Sequence, residues 1–322
     1  MRKILLLSAI AFQFSSGPSA QSRSSVPGKV YTTSWFGAVI SVVDLGSGKA
    51  VKTIPVGVQD HNIFLSPDQK IAWVTNNNEG TVSPIDTSTD AVIANIQTGH
   101  GPRHTNMPAD GHVAYVTNEF DDSLAVINPT TRKVVQTVKV GNMPHFPIVA
   151  GDKIFVSNFG SADLTVIDRT NDAHTVVKTI KVGLGPLGQG ATRDGKRVYV
   201  ACHASNEVDV IDTDGLTVLA RIATEPGPVQ VSVAPDQRFA YVATDGRGTA
   251  QKIDLSTNKI VKTIEIGRDA GSHGIAFAAD GKLLLVTNTG ASTLSVIDTD
   301  SDQVTDTIKV ATAPEGVAFK RP

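Results

Sequence analysis

Five of the chain's eight histidines, His61, His104, His145, His203 and His273, fall at related points of a recurring unit, and Glu315 stands 42 residues after His273. Neutral imidazole nitrogens bind Zn, Cu, Ni or Fe, and one added carboxylate suits a mononuclear site. Imidazole also moves protons near neutral pH. Arg103 offers a forked set of donors for an anionic ligand. Glu119 and Asp245 add acids close by in the repeat, and Trp35 and Phe159 add apolar walls. None of this chemistry works unless the residues meet in space.

The frame that would bring them together is a repeat of about 42 residues. Its marker is a strand ending in Asp or Asn, at Asp44, Asp86, Asn128, Asp168, Asp212, Asp254 and Asp298, spaced 42, 42, 40, 44, 42 and 44. A short acid or amide at that point can bond the following backbone amides of a turn. Each marker strand follows another, such as AWVTN, AYVTN or LLVTN, and precedes a third, such as VVKTIKVG. A fourth lies between repeats, as in HNIFLSPD or HGIAFAAD. Four short strands per unit, seven times, predict an all-β, seven-bladed β-propeller of four-stranded blades over residues 29–322. From Lys29 the first repeat lacks its innermost strand, and Pro314–Lys320 (PEGVAFK) supplies that pattern at the C-terminus. The C-terminal strand is therefore expected to complete the first blade and close the ring, which removes open edges.

In such a ring the start of each innermost strand and the end of the second strand share one face. Two columns of residues then converge on an axial funnel. The first reads His61, Arg103, His145, Leu187, Val229, His273 and Glu315, followed by Asn62, His104, Phe146, Gly188, Gln230, Gly274 and Gly316. The second reads Ser34-Trp35, Asn76-Asn77, Asn118-Glu119, Asn158-Phe159, Cys202-His203, Thr244-Asp245 and Asn288-Thr289. This selects His61, His104, His145, His203, His273 and Glu315 as metal ligands for Cu, Zn or Fe. It selects Arg103, Glu119, Trp35, Phe159 and Asp245 as ligand-binding residues. His100, His112 and His174 fall in loops and turns. A histidine before glycine at a strand start can also simply bond backbone, so it is the convergence of five that points to a site. Cys202, in the place of the recurrent Asn, is read either as a small packed residue or as a soft ligand or nucleophile.

AWVTN, AYVTN and the VIDT…VVKTIKVG phrases resemble the YVTN-type β-propeller repeat family, which includes exported YncE-like and surface-layer-like proteins. The resemblance covers about residues 29–322. It implies the propeller fold and a broad range of roles, from ligand-binding modules to lactonase-like enzymes, a streptogramin lyase, and haem d1 and copper-cluster domains.

The rest of the chain narrows the setting. Arg2 and Lys3, an apolar run over Ile4–Phe14 and Pro18-Ser19-Ala20 read as a signal peptide, residues 1–20, with a flexible leader at 21–28. Residue 21 is not Cys, so a lipoprotein anchor is not indicated, and the apolar run is too short to span a bilayer. A periplasmic or secreted monomer is expected, without a transmembrane segment once the signal is removed. With one cysteine it can form no internal disulfide. The formal net charge of −2 carries no basic run suited to nucleic acid. No Walker sequence, GxSxG, HExxH or paired CxxC occurs. Three functions fit: a propeller binding a small ligand or transition metal in the funnel, with a protein or cell-wall partner at the rim; a metal-dependent lyase or lactonase-like hydrolase using the same funnel; and a haem or tetrapyrrole carrier or maturation factor.

Overall fold

A computed structural model describes residues 26–170 and 173–322. The signal segment 1–20 and residues 21–25 of the leader lie outside the described residues. Among the described residues no helix is long and apolar enough to cross a membrane.

Seven antiparallel sheets form the blades of a propeller. The innermost strands are Asp60–Leu65, Pro102–Asn106, Pro144–Ala150, Pro186–Ala191, Pro228–Val233 and Ser272–Ala278 in blades 2 to 7. Blade 1 takes its inner strand, Val317–Lys320, from the C-terminus and the other three from Lys29–Thr32, Val39–Asp44 and Lys49–Pro55. Lys29 pairs with Lys320 and Thr32 with Val317, so the last strand closes the ring. Leader residues Val26 and Gly28 lie against blade 1: Val26 packs on the cluster around Val30, and Leu45 N–H donates to the Gly28 carbonyl at 3.0 Å.

The marker turns behave as their side chains require. Ser88 N–H donates to Asp86 Oδ1 at 2.8 Å, Thr130 N–H to Asn128 Oδ1 at 3.0 Å and Ser256 N–H to Asp254 Oδ1 at 2.8 Å. Blade 2 departs from the pattern in its outer strand, which splits into Ala91–Val92 and Ile96–Gln97. The neighbouring strand carries Pro84 where the other blades have Val or Lys at a bulge. Proline has no N–H to continue the ladder past that bulge.

Among the described residues the core is seven apolar clusters, each between two blades; Tyr115, Leu124 and Val126 of blade 3, for example, pack on Ile154, Val156 and Ile167 of blade 4. The tyrosine of the repeat is fully buried at Tyr31, Tyr115, Tyr199 and Tyr241. Its hydroxyl reaches a turn of the next blade: Tyr31 donates to Asp90 at 2.7 Å and Tyr199 to Asn258 at 3.0 Å.

Close to the axis the blades approach so tightly that three positions tolerate only glycine. A Cβ on Gly188 would come within 2.8 Å of Gln230 Cα, one on Gly316 within 2.8 Å of Ile63 N, and one on Gly274 would be driven into the Glu315 carbonyl. Gly274→Ala is therefore expected to lower stability in urea unfolding by about 1–3 kcal/mol, the range for overpacking. An unchanged midpoint would show that blades 7 and 1 can move apart freely.

Candidate metal centre

Each column residue is the second of its inner strand, as His61, Arg103, His145 and His273 are, or lies two residues before it, as Glu315 does. Successive side chains of a strand point to opposite faces. Arg103 and His104 nevertheless both face the funnel. The cause is a register irregularity where each inner strand of blades 2 to 7 begins: between Asp60 and Ile63, Pro144 and Phe146, and Ser272 and Ile275, and opposite Val116–Asn118 in blade 3. Such a bulge re-aims side chains locally.

The ring is held at this level by hydroxyls. Thr75, Thr117, Ser157 and Thr287, from the second strands, and Thr33, just after that of blade 1, donate to the carbonyls of Arg103, His145, Leu187, Glu315 and His61 in the next blade, at 2.6–3.0 Å. Two of those carbonyls also meet an imidazole. His61 Nδ1 is 3.2 Å from the Arg103 carbonyl and His104 Nδ1 is 3.1 Å from the His145 carbonyl. A carbonyl only accepts, so each Nδ1 carries the proton and each Nε2 is left with its lone pair.

The imidazoles form one cluster. Ring centroids lie 4.7 Å apart for His61 and His104, 4.5 Å for His104 and His145, 5.5 Å for His61 and His145, and 6.0 Å for His61 and His273. Two triads offer ligand atoms within 4.8 Å of one another: His61, His104 and His145, and His61, His273 and Glu315. Bonds of about 2.0–2.1 Å to zinc place ligand nitrogens within about 4 Å of each other, so small side-chain rotations would complete coordination. Glu315 Oε2 lies 3.3 Å from His61 Nε2 but is not aligned for a hydrogen bond and has no other partner. His145 Nδ1 and His273 Nδ1 are likewise buried without one.

Burial sets the charge states. It holds His61, His104 and His145 well below the ordinary imidazole range, helped at His61 by Arg103 and at His104 by His273. It brings His273 down to about 4 and pushes Glu315 up to about 7. At neutral pH four uncharged imidazoles face one another, the form that binds metal.

Around the mouth the remaining residues pair off. Arg103 Nε donates to Glu119 Oε2 at 2.6 Å, and its guanidinium lies 5.4 Å from the Trp35 ring. Trp35 stands edge-on to His61 at 5.5 Å. His203 Nε2 is 3.1 Å from Asp245 Oδ2, both partly exposed, and this bond raises the His203 pKa. His203 thus stands at the mouth, outside both triads. Phe159 sits at the rim against Gly185, 38% exposed, and Phe146 packs on His104 instead, with centroids 4.6 Å apart. Sequence reasoning passed over Phe146 as a wall. It also passed over Asp60, which accepts from Ser34 N–H at 2.6 Å and is pushed up to about 8 by burial. A signal for Asp60 exists: the other blades carry Pro or Ser at that position.

The other residues are structural. Asn76, Asn158 and Asn288 donate to side-chain oxygens of the adjacent strand, as Asn76 does to Ser83 at 2.7 Å. His100 pairs with Asp121 at 2.8 Å, and His174 bonds Tyr115 and Gln136. Cys202 lies fully buried in the apolar cluster between blades 4 and 5, where burial raises its thiol pKa.

Two family profiles match the sequence. One described as lactonase, 7-bladed beta-propeller, matches residues 39–215, more than half of the chain. One described as YNCE-like beta-propeller matches residues 191–320. The chain belongs to the seven-bladed, lactonase-type β-propeller family, with a YNCE-like C-terminal part. No curated protein matches it. Among solved structures it is similar to hydrazine synthase of Kuenenia stuttgartiensis, at 19% identity and a TM-score of 0.74 over 82% of this chain and 95% of that one. A functionally unknown protein from Desulfotomaculum acetoxidans is similar at 16% identity and a TM-score of 0.81, over 92% and 99%. Apo AztD from Citrobacter koseri is similar at 16% identity and a TM-score of 0.66, over 91% and 98%. At these identities the likeness is one of fold.

A buried, protonated thiol makes a clear expectation. In the native protein at pH 8, Cys202 should react with a disulfide reagent at less than about a tenth of its rate in denaturant, since the thiolate is the reacting form. Equal rates would place the thiol at the surface.

Proposed function

We propose that this chain is an exported propeller that binds one transition-metal ion, zinc or copper, in its axial funnel. The observation that carries the reading is the convergence of His61, His104 and His145 within 4.8 Å as neutral imidazoles, two of them with Nδ1 committed to a carbonyl. Nitrogen donors with one nearby carboxylate suit zinc and copper better than magnesium or calcium. The burial of the three imidazoles supports an ion over a bulkier guest. His61, His104 and His145 are only 2%, 4% and 7% exposed, which leaves no open imidazole face among them for a planar tetrapyrrole. Export rests on Arg2, Lys3, the apolar run Ile4–Phe14 and the small residues Pro18-Ser19-Ala20.

A second reading, a lactonase-like hydrolase at the same centre, is favoured by one feature of its own. His203 and Asp245 form a hydrogen-bonded pair at the mouth, placed to exchange a proton with solvent. A bound ion would supply Lewis-acid polarisation of a carbonyl.

Calorimetric titration of untagged, chelator-treated protein tests the first reading. One zinc ion per chain is expected. His61→Ala should weaken binding by more than about 100-fold, beyond the 10–100-fold that loss of an outer partner produces. Uptake of less than about a tenth of an ion per wild-type chain would overturn the reading. Hydrolysis of dihydrocoumarin by the zinc-loaded protein, lost in His203→Gln while zinc stays bound, would support the hydrolase.

A further inference from the structure

His61 belongs to both triads, and the two differ in chemistry and depth. The inner one joins blades 2, 3 and 4 through three imidazoles, all buried. The outer one joins blades 7, 1 and 2 through His273, Glu315 and His61, and two of its members are only partly buried. Its carboxylate is 14% exposed, with one oxygen buried, unpartnered and 3.3 Å from His61 Nε2. His61 Nδ1 is engaged with the Arg103 carbonyl, so the same Nε2 must serve either triad.

We propose that the outer triad is a capture position, from which the ion passes to the buried triad by exchanging Glu315 and His273 for His104 and His145 while His61 stays bound. This rests on the metal-binding reading above. The order follows from charge and hardness. A hydrated cation is drawn first to the carboxyl of Glu315, whose ionised form attracts at a distance where a neutral imidazole does not. Once the water is shed, a borderline ion such as zinc or copper is held better by three nitrogens than by two and an oxygen. One ligand common to both positions lets the ion move without ever being released. Because His61 cannot serve both at once, the protein should bind a single ion. No bond other than metal–ligand bonds forms or breaks, and no electron is transferred.

Stopped-flow absorption with Co2+ on the chelator-treated full-length chain tests this. Wild type should show a fast phase that scales with Co2+ concentration, then a slower phase that does not, as the spectrum changes from a mixed nitrogen–oxygen to an all-nitrogen ligand set. Glu315→Gln should slow uptake by about 10-fold or more, the scale of electrostatic steering, and leave the final affinity within about 3-fold, since all three final ligands remain. Glu315→Asp should recover part of the rate. His104→Ala and, separately, His145→Gln should keep the fast phase, lose the slow one and bind more weakly. The capture position is overturned if Glu315→Gln takes up Co2+ at the wild-type rate, or if His104→Ala and His145→Gln, with wild-type circular dichroism, show no fast phase. A wild-type protein that binds no Co2+ at all would instead sink the metal-binding reading.

Discussion

A single hydroxyl contact, repeated around the ring, fixes the geometry on which the site depends. The threonine or serine of the YVTN-like strand donates to a column carbonyl of the next blade and accepts an N–H from its own inner strand. Thr75 donates to the Arg103 carbonyl at 2.7 Å and accepts from Asn62 N–H at 3.0 Å. Thr117 does the same for His145 and His104, and Thr287 for Glu315 and Gly274. Each such contact satisfies backbone groups that burial would otherwise leave unpaired, at about 1–3 kcal/mol apiece. The same carbonyls orient His61 and His104. The stitch between blades and the tautomer of the imidazoles are therefore one arrangement. Blades 5 and 6 carry Ala201 and Ala243 in place of the hydroxyl, and the columns they face hold Val229 and His273. Four of the five stitched carbonyls belong to residues of the site: His61, Arg103, His145 and Glu315.

In the layer next to the column, neighbouring blades come close together. Gly188, Gly274 and Gly316 occupy the layer next to the column, where a side chain on any of them would meet neighbouring backbone. Non-glycine residues in that layer belong to blades 2, 3, 4 and 6, as Asn62, His104, Phe146 and Gln230. Glycine on blades 5, 7 and 1 thus permits the close approach of neighbouring blades around the imidazoles, of which His61 and His104 come from the adjacent blades 2 and 3. A ring of uniformly large residues would hold the blades apart and leave the imidazoles too far from one another to share an ion.

Much of this was legible in the sequence. The seven Asp or Asn markers gave the blade count, and PEGVAFK gave the closure, because a repeat pattern maps directly onto strands and turns. The convergence of His61, His104, His145, His273 and Glu315 followed from aligning the repeats. What stayed hidden depends on local irregularity. Side-chain direction at a bulge does not follow a period of two, so the sequence could not show that Arg103 and His104 face the same way, or that Phe146, not Phe159, walls the cluster. Nor could it show that His203 stops at the mouth with Asp245, since a pairing across two blades depends on loop geometry. The break in the outer strand of blade 2 was signalled by Pro84, yet proline also sits at the head of several inner strands without harm. Its effect follows from its place in the ladder rather than its presence.

The position of Glu315 ties the site to the closure of the ring. It stands two residues before the four-residue strand that seals blade 1, and the partner triad members come from the blades on either side, 7 and 2. Four residue pairs are a short seam, and blade 1 is held to its neighbours by packing and by contacts such as those of Thr33, Thr287, Tyr31 with Asp90 and Ser34 with Asp60. An ion held by His61, His273 and Glu315 would bridge three blades across that seam. Anything that binds the closed ring and not the opened one stabilises it, by about 2.7 kcal/mol at a free concentration 100 times the dissociation constant. Closure in turn is what brings Glu315 to His61. Capture at this position and closure of the ring would then favour one another, and the last strand of the chain serves both.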